Sequence, residues 1–187
     1  MLIIGLTGPA GAGKDISAEY ISRKLSVEHH SGGDVIRTML TGLNLPVIKT
    51  AVVAFGNFLR ENYGTDYIAS RAVGIEEDKK GVVYSGFRSP SEAQYVKDHG
   101  GFIVYIDAPT EVRHERILDR RRSDDTNDQE KLNQIDQKEL QAQDDAGENL
   151  EKVKALADFT VINDSDLDSL HKKLDEITEK LIAKTAA

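Results

Sequence analysis

The residues most able to do chemistry lie near the start of the chain, in Gly8-Pro9-Ala10-Gly11-Ala12-Gly13-Lys14. The run fits G-x-x-x-x-G-K. Glycines let the backbone bend until successive N–H groups converge on phosphate oxygens. A helix opening directly afterwards adds the positive end of its dipole. Lys14 would reach between the β- and γ-phosphates of ATP and follow the charge during transfer. On this reading Gly8, Ala10, Gly11, Ala12, Gly13, Lys14 and Asp15 hold the nucleotide. A glycine-rich turn with an exposed lysine is the plainer alternative. A buried strand before the run and a helix after it favour the phosphate loop.

Asp15 stands where such loops carry the Ser or Thr whose hydroxyl ligates Mg²⁺. A carboxylate is a good ligand for a hard cation, but it adds negative charge beside the phosphates. The third strand ends Val83-Tyr84-Ser85-Gly86, with a hydroxyl where a metal-holding carboxylate is expected. The two groups look exchanged. The expectation is that Asp15 and Ser85 together hold Mg²⁺ with ATP, directly or through water; the alternative is a weakened site.

Arginines recur where a transferring phosphoryl group needs them. Arg37 closes Gly33-Asp34-Val35-Ile36-Arg37, and Arg88 closes Gly86-Phe87-Arg88. Arg113, Arg116 and Arg120 fall at i, i+3 and i+7, on one helical face, and Arg121-Arg122-Ser123-Asp124-Asp125 follows. Guanidinium groups suit phosphate oxygens and the equatorial charge of the transition state. Arg88 is the strongest, because ligands bind at the carboxyl ends of strands in α/β sheets. Glu111, Glu115 and Asp119 could instead make 113–122 a solvated, charge-neutral face. Arg60 and Arg71 could pair with Glu61, Asp66 or Glu76. Asp34 stands where an N-cap would stand, or could serve as a base toward a hydroxyl acceptor. His29, His30, His99, His114 and His171 show no metal-ligand spacing and read as surface or edge residues.

The elements that must position these groups alternate strand and helix. Leu2–Thr7 is a short apolar run, as expected of a strand buried on both faces. Ile16–Leu25 has helical spacing, and Val27–His30 reads as a second strand. Helices are expected over Val35–Leu40, Lys49–Tyr63 and Asp66–Asp78, then a strand over Val82–Ser85 and a helix over Ser91–Asp98. Phe102–Asp107 is a fourth strand, and Pro109 starts a helix. A polar loop over Ser123–Asp128, a charged helix over Glu130–Gln143, a strand over Asp158–Ile162 and an amphipathic helix over Leu167–Lys184 complete the chain. This is an α/β domain with a parallel sheet.

Composition narrows the rest. The 187 residues suit one domain with a full core. A net charge of −8 repels nucleic acid and anionic membrane, so neither is an expected partner. With no cysteine there is no disulfide, thiolate zinc site or cysteine nucleophile. The first residues lack a basic leader, and no stretch approaches 18 apolar residues, so a cytoplasmic protein is expected.

Taken together, these motifs resemble the P-loop nucleoside monophosphate kinase group, including adenylate kinases and dephospho-CoA kinases, along nearly the whole chain. The marks are the phosphate loop, Gly33-Asp34-x-x-Arg37, Gly86-Phe87-Arg88, Arg122-Ser123-Asp124-Asp125 and Ala157-Asp158-x-x-x-x-Asn163. The likeness is greatest to an uncharacterised, archaeal-type dephospho-CoA-kinase-like family. Lysine followed by aspartate in the loop is also similar to phage deoxynucleoside monophosphate kinases and animal phosphomevalonate kinases. The resemblance implies a three-layer P-loop NTPase fold with a five-stranded parallel sheet in the order 2-3-1-4-5. It divides one kinase domain into a core (1–33, 81–120, 146–187), an acceptor-binding flap (34–80) and a lid (121–145). Lys14, Arg88, Arg122 and Asp34 would be catalytic. Asp34, Arg37, Arg60 and Arg88 would hold the acceptor, and Arg120 and Arg122 would sit at the lid hinge. Asn163 would lie near the adenine. Related chains often carry a second lid arginine, whereas here the segment reads Gln134-Ile135-Asp136-Gln137-Lys138. Lysine cannot reproduce the planar fork.

The implied activity is transfer of the γ-phosphate of ATP to a small nucleotide-like acceptor, with a (deoxy)nucleoside monophosphate first. A dephospho-CoA kinase using Asp34 as base is the alternative. A non-catalytic nucleotide-binding regulator is the alternative from another class. Leu45-Pro46 and Gly64 are candidate flap hinges; Leu40, Leu43, Phe55, Phe58 and Tyr63 are either acceptor contacts or flap core.

Overall fold

The fold is described by a computed structural model for residues 1–74, 80–120, 130, 133–134 and 149–185. Five strands form one parallel sheet: β1 (Leu2–Thr7), β2 (Glu28–Ser31), β3 (Gly81–Ser85), β4 (Phe102–Asp107) and β5 (Phe159–Ile162). Their order is β2-β3-β1-β4-β5, as the resemblance implied. The helices among the described residues are α1 (Lys14–Leu25), α2 (Gly32–Gly42), α3 (Lys49–Tyr63), α4 (Tyr67–Gly74), α5 (Pro90–Asp98), α6 (Thr110–Arg120), α7 (Leu150–Ala155) and α8 (Leu167–Thr185).

Successive strand residues point to opposite faces, and the core divides accordingly. Ile3, Val82, Tyr84 and Ile103 pack on one side with residues of α2, α3, α4, α5 and α7. Ile4, Leu6, Val83, Val104 and Ile106 pack on the other with α1 and α8. Helices on both faces explain why β1, β3 and β4 read as nearly unbroken apolar runs. Each fully buried Leu or Ile contributes about 1.5–3 kcal/mol. The sheet is thus a rigid platform, and its central strands end nearly level, with Leu6 opposite Ser85 and Ser85 opposite Ser31.

Three local expectations need correction. Ser31, not Asp34, caps α2, because its hydroxyl accepts from the Asp34 amide at 3.0 Å. The helix therefore starts at Gly32, three residues ahead of Val35, and Asp34 sits inside its first turn beside the positive end of the dipole. Pro109 lies just outside α6, its carbonyl accepting from the Arg113 amide. Helix α7 was not expected; Asn149 caps it by accepting from the Lys152 amide. Expected helix residues 75–78, most of the charged helix 130–143 and most of the lid 121–145 lie outside the described residues. None of the described helices is long and apolar enough to cross a membrane.

Candidate active site

The phosphate loop joins β1 to α1, and its glycines are required by position. Gly8, Gly11 and Gly13 all have positive φ, at 139°, 78° and 97°. A Cβ on Gly8 would lie 1.9 Å from the Ile106 carbonyl oxygen, and one on Gly11 would lie 2.5 Å from that of Arg113. Only glycine lets the loop run this close to β4 and α6. Gly13 is the N-cap of α1 and no side chain caps the helix. A helix start that carries no side-chain cap is a place where an anion can accept from backbone N–H groups. Lys14 folds back over the loop, 9% exposed, and donates from Nζ to the Pro9 carbonyl at 2.8 Å. The ammonium is thus held against the backbone of the loop itself.

Two arginines and an asparagine hold the loop from outside. Arg113 is buried and donates to the Ala10 carbonyl at 3.2 Å, to the Ala108 carbonyl at 3.2 Å and to the Thr110 hydroxyl at 3.1 Å. Asn163, at the end of β5, donates its amide to the Ala12 carbonyl at 2.8 Å. Arg116 donates to the Asn163 backbone carbonyl at 3.2 Å and to its side-chain oxygen at 3.3 Å. Thus two members of the expected arginine face turn inward and brace the loop rather than forming a solvated surface. Asn163 is 6% exposed, and both ends of its amide are engaged with protein.

Asp15 is exposed in the first turn of α1. Ser85 is fully buried, with its hydroxyl 2.7 Å from His29 Nε2. The two expected metal residues therefore differ: Asp15 is exposed, whereas Ser85 is buried and bonded to His29. His29, expected only as an edge residue, is brought to the site. Burial pushes its imidazole below the ordinary histidine value, against the opposing pull of Asp15, Asp34 and Glu19.

On the acceptor side, Asp34 receives the Ser31 hydroxyl at 2.6 Å and Arg37 at 2.7 Å, on exposed surface. Arg88 is half-buried after β3, where the Thr7 hydroxyl donates to the Phe87 carbonyl at 2.6 Å and ties the segment to β1. Arg60, from α3, approaches the buried carboxyl of Glu92 in the first turn of α5. Arg120 is the last residue of α6, and Arg122 lies outside the described residues. Sequence reasoning missed Glu92, His29 and the bracing roles of Arg113 and Arg116. The Arg113–Arg116 spacing was visible, but nothing in it told loop from solvent.

A glycine-lined loop opening a helix at the carboxyl edge of a 2-3-1-4-5 parallel sheet defines a P-loop kinase fold. Solved structures agree on that fold. A shikimate kinase from Bacteroides thetaiotaomicron superposes with a TM-score of 0.64 at 19% identity, covering 96% of this chain and 98% of that one. A putative kinase from Chloroflexus aurantiacus gives 0.61 at 15% identity, covering 97% and 96%. A family model described as an AAA domain matches residues 4–141. The UPF0200 protein MJ1399 of Methanocaldococcus jannaschii is 34% identical over 97% of this chain and 91% of its own length. That of Thermoplasma acidophilum is 31% identical over 95% and 96%. The chain belongs to the AAA-domain family and, within its curated relatives, to the UPF0200 family.

Proposed function

We propose that this protein is an ATP-dependent phosphotransferase that moves the γ-phosphate of ATP to a small nucleotide acceptor, a (deoxy)nucleoside monophosphate. The observation that carries this reading is a start of α1 with no side-chain cap, with the Lys14 ammonium folded onto Pro9 and three glycines of the loop at positive φ. The amides and ammonium would hold the β- and γ-phosphates. Nearly all catalysis of such a transfer is positioning and charge stabilisation, so a braced loop matters more than a reactive side chain.

Mg²⁺ would neutralise the phosphate oxygens. The donor set fits it at Asp15, whose carboxylate is exposed and chemically suited to a hard cation. Ser85 would be a second oxygen donor, its hydroxyl keeping a lone pair beside its bond to His29. Arg37, Arg60 and Arg88 would hold the acceptor. The Arg37–Asp34 pair is exposed on both sides and worth little, so Arg37 can leave it for a phosphate. Arg120 and Arg122 would sit at the hinge of the proposed lid of 121–145, which would exclude water so that transfer outruns hydrolysis. Asn163 would lie near the adenine from its place after β5.

A phosphate acceptor is favoured over a hydroxyl acceptor because Asp34 receives the Ser31 hydroxyl within the first turn of α2, a local role that calls for no base. A phosphate oxygen needs no strong base, whereas a ribose hydroxyl gains from one. The test is a coupled assay over a panel of nucleoside and deoxynucleoside monophosphates plus dephospho-CoA. Turnover on a monophosphate that survives Asp34→Asn supports the reading. Turnover on dephospho-CoA alone, abolished by Asp34→Asn, replaces it with the hydroxyl-acceptor kinase. ATP binding without transfer to any acceptor would point to a regulator.

A further inference from the structure

Among the described residues Glu92 is the one acidic residue that is buried, at 1% exposure. A carboxyl buried this deeply is costly unless it is paired and hydrogen-bonded. Glu92 accepts from the Tyr84 hydroxyl at 2.8 Å and from the Ser89 hydroxyl at 3.0 Å. Its charged partner among the described residues is the Arg60 guanidinium, with Nη2 3.9 Å from Oε2. That separation suits charge attraction but is too long for a hydrogen bond. Among the described residues Glu92 is the ion-pair partner of Arg60, so the guanidinium is held by charge while its N–H donors are not consumed by that pair.

The surroundings are shaped for this arrangement. Gly56 lies one turn before Arg60 on α3, and a Cβ there would come within 3.3 Å of Arg60 Nη1 and 2.9 Å of Ile36. A Cβ on Gly32 would come within 3.3 Å of the Tyr84 hydroxyl. The Arg60 side chain is 27% exposed, so its head lies at the boundary between Glu92 and solvent. By contrast, Arg37 is already in a 2.7 Å pair with Asp34 on open surface.

We propose that Glu92 is a positioning residue for the acceptor's phosphate: from beneath, it anchors the Arg60 guanidinium beside the carboxyl end of β3 and leaves the guanidinium's donors for phosphate oxygens. This deepens the acceptor assignment above and rests on it. The chemistry is recognition of a phosphate monoester by a planar fork, whose geometry matches two oxygens at once. Without the carboxylate, a long flexible side chain at the surface recovers its rotamer freedom and leaves the site. That loss outweighs the small relief of removing a negative charge separated from the phosphate by Arg60 itself.

The experiment is a titration of inorganic phosphate into the full ¹⁵N-labelled chain, following the arginine Nε–Hε resonances, with Arg60 assigned from Arg60→Lys. The Arg60 signal should move with phosphate. Glu92→Gln keeps the size of the side chain and an oxygen for one of the hydroxyl donors. It should weaken phosphate binding read at Arg60 about tenfold, the scale of one charge-assisted hydrogen bond. MgATP affinity should stay at the wild-type value. Should Glu92→Gln fail to fold, Glu92→Asp withdraws the charge from Arg60 and should give a smaller loss in the same direction. A titration that moves Arg37 or Arg88 and leaves Arg60 still overturns the proposal. So does wild-type or tighter phosphate binding in the Glu92 variants. Because the readout is residue-specific and needs no turnover, an absence of kinase activity would count against the proposed reaction and not against this subsite.

Discussion

The Asn163 amide donates to the Ala12 carbonyl at 2.8 Å, joining two residues 151 positions apart. This bond fastens the end of β5 to the phosphate loop, and Arg116 fastens Asn163 in turn. A cup of main-chain amides binds well only if its shape is already set before the ligand arrives. Asn163→Ala should therefore lower ATP affinity about tenfold, the scale of leaving a buried partner unsatisfied. Calorimetry on the folded variant reads it, and an unchanged affinity would mean the brace is irrelevant to binding.

Arg113 acts from the other side. Arg113→Met keeps much of the buried stem but removes donors to Ala10, Ala108 and Thr110. Leaving buried acceptors without their donor costs about 1–3 kcal/mol. Urea denaturation should show that loss, whereas a surface arginine would give almost none.

Gly8→Ala should be among the most damaging small substitutions in the chain. The new methyl would meet the Ile106 carbonyl at 1.9 Å in a backbone conformation with φ of 139°. Strain of this kind costs of order 1–3 kcal/mol before the clash is counted. Thermal melts should show a large drop, and Gly42→Ala, which meets nothing within 4 Å, is the matched control.

Stability should also depend on pH through α1 and α8. Asp175 accepts from Lys24 at 2.6 Å and from the Tyr20 hydroxyl at 2.7 Å, and these bonds, Lys24 first, hold its carboxyl below the ordinary aspartate value. A depressed carboxylate stabilises the fold above its unfolded value, near pH 3.9, and the contribution is lost as pH falls through the folded value. Asp175→Asn should thus be less stable than wild type at neutral pH, with the difference shrinking below about pH 4. A constant difference across that window would contradict the assignment.

Much of this was legible in the residues because the signals were local. Lys49–Tyr63 and Phe102–Asp107 have the expected bounds, since an amphipathic period and an apolar run need no distant partner to be read. The loop was legible because glycine spacing and the following lysine constrain the backbone directly. Ser31 and Asp34 both suit a helix start, and only the folded chain selects Ser31 as the cap. Helix α7 is six residues long, too short to show a period. Glu92 carries a helix-start signal with Ser89, which says nothing of the Tyr84 and Arg60 side chains that converge on it. Such pairings depend on the sheet order and are invisible to spacing.

The central claim is that the turn between β1 and α1 holds a triphosphate. Calorimetric titration of MgATP into the wild-type chain and into Lys14→Met tests it most directly. The account predicts one saturable site, with binding weakened in Lys14→Met and transfer falling about 10²–10³-fold, the usual effect of removing one transition-state donor. No heat from MgATP or any other nucleoside triphosphate, or identical binding in the two proteins, would contradict it.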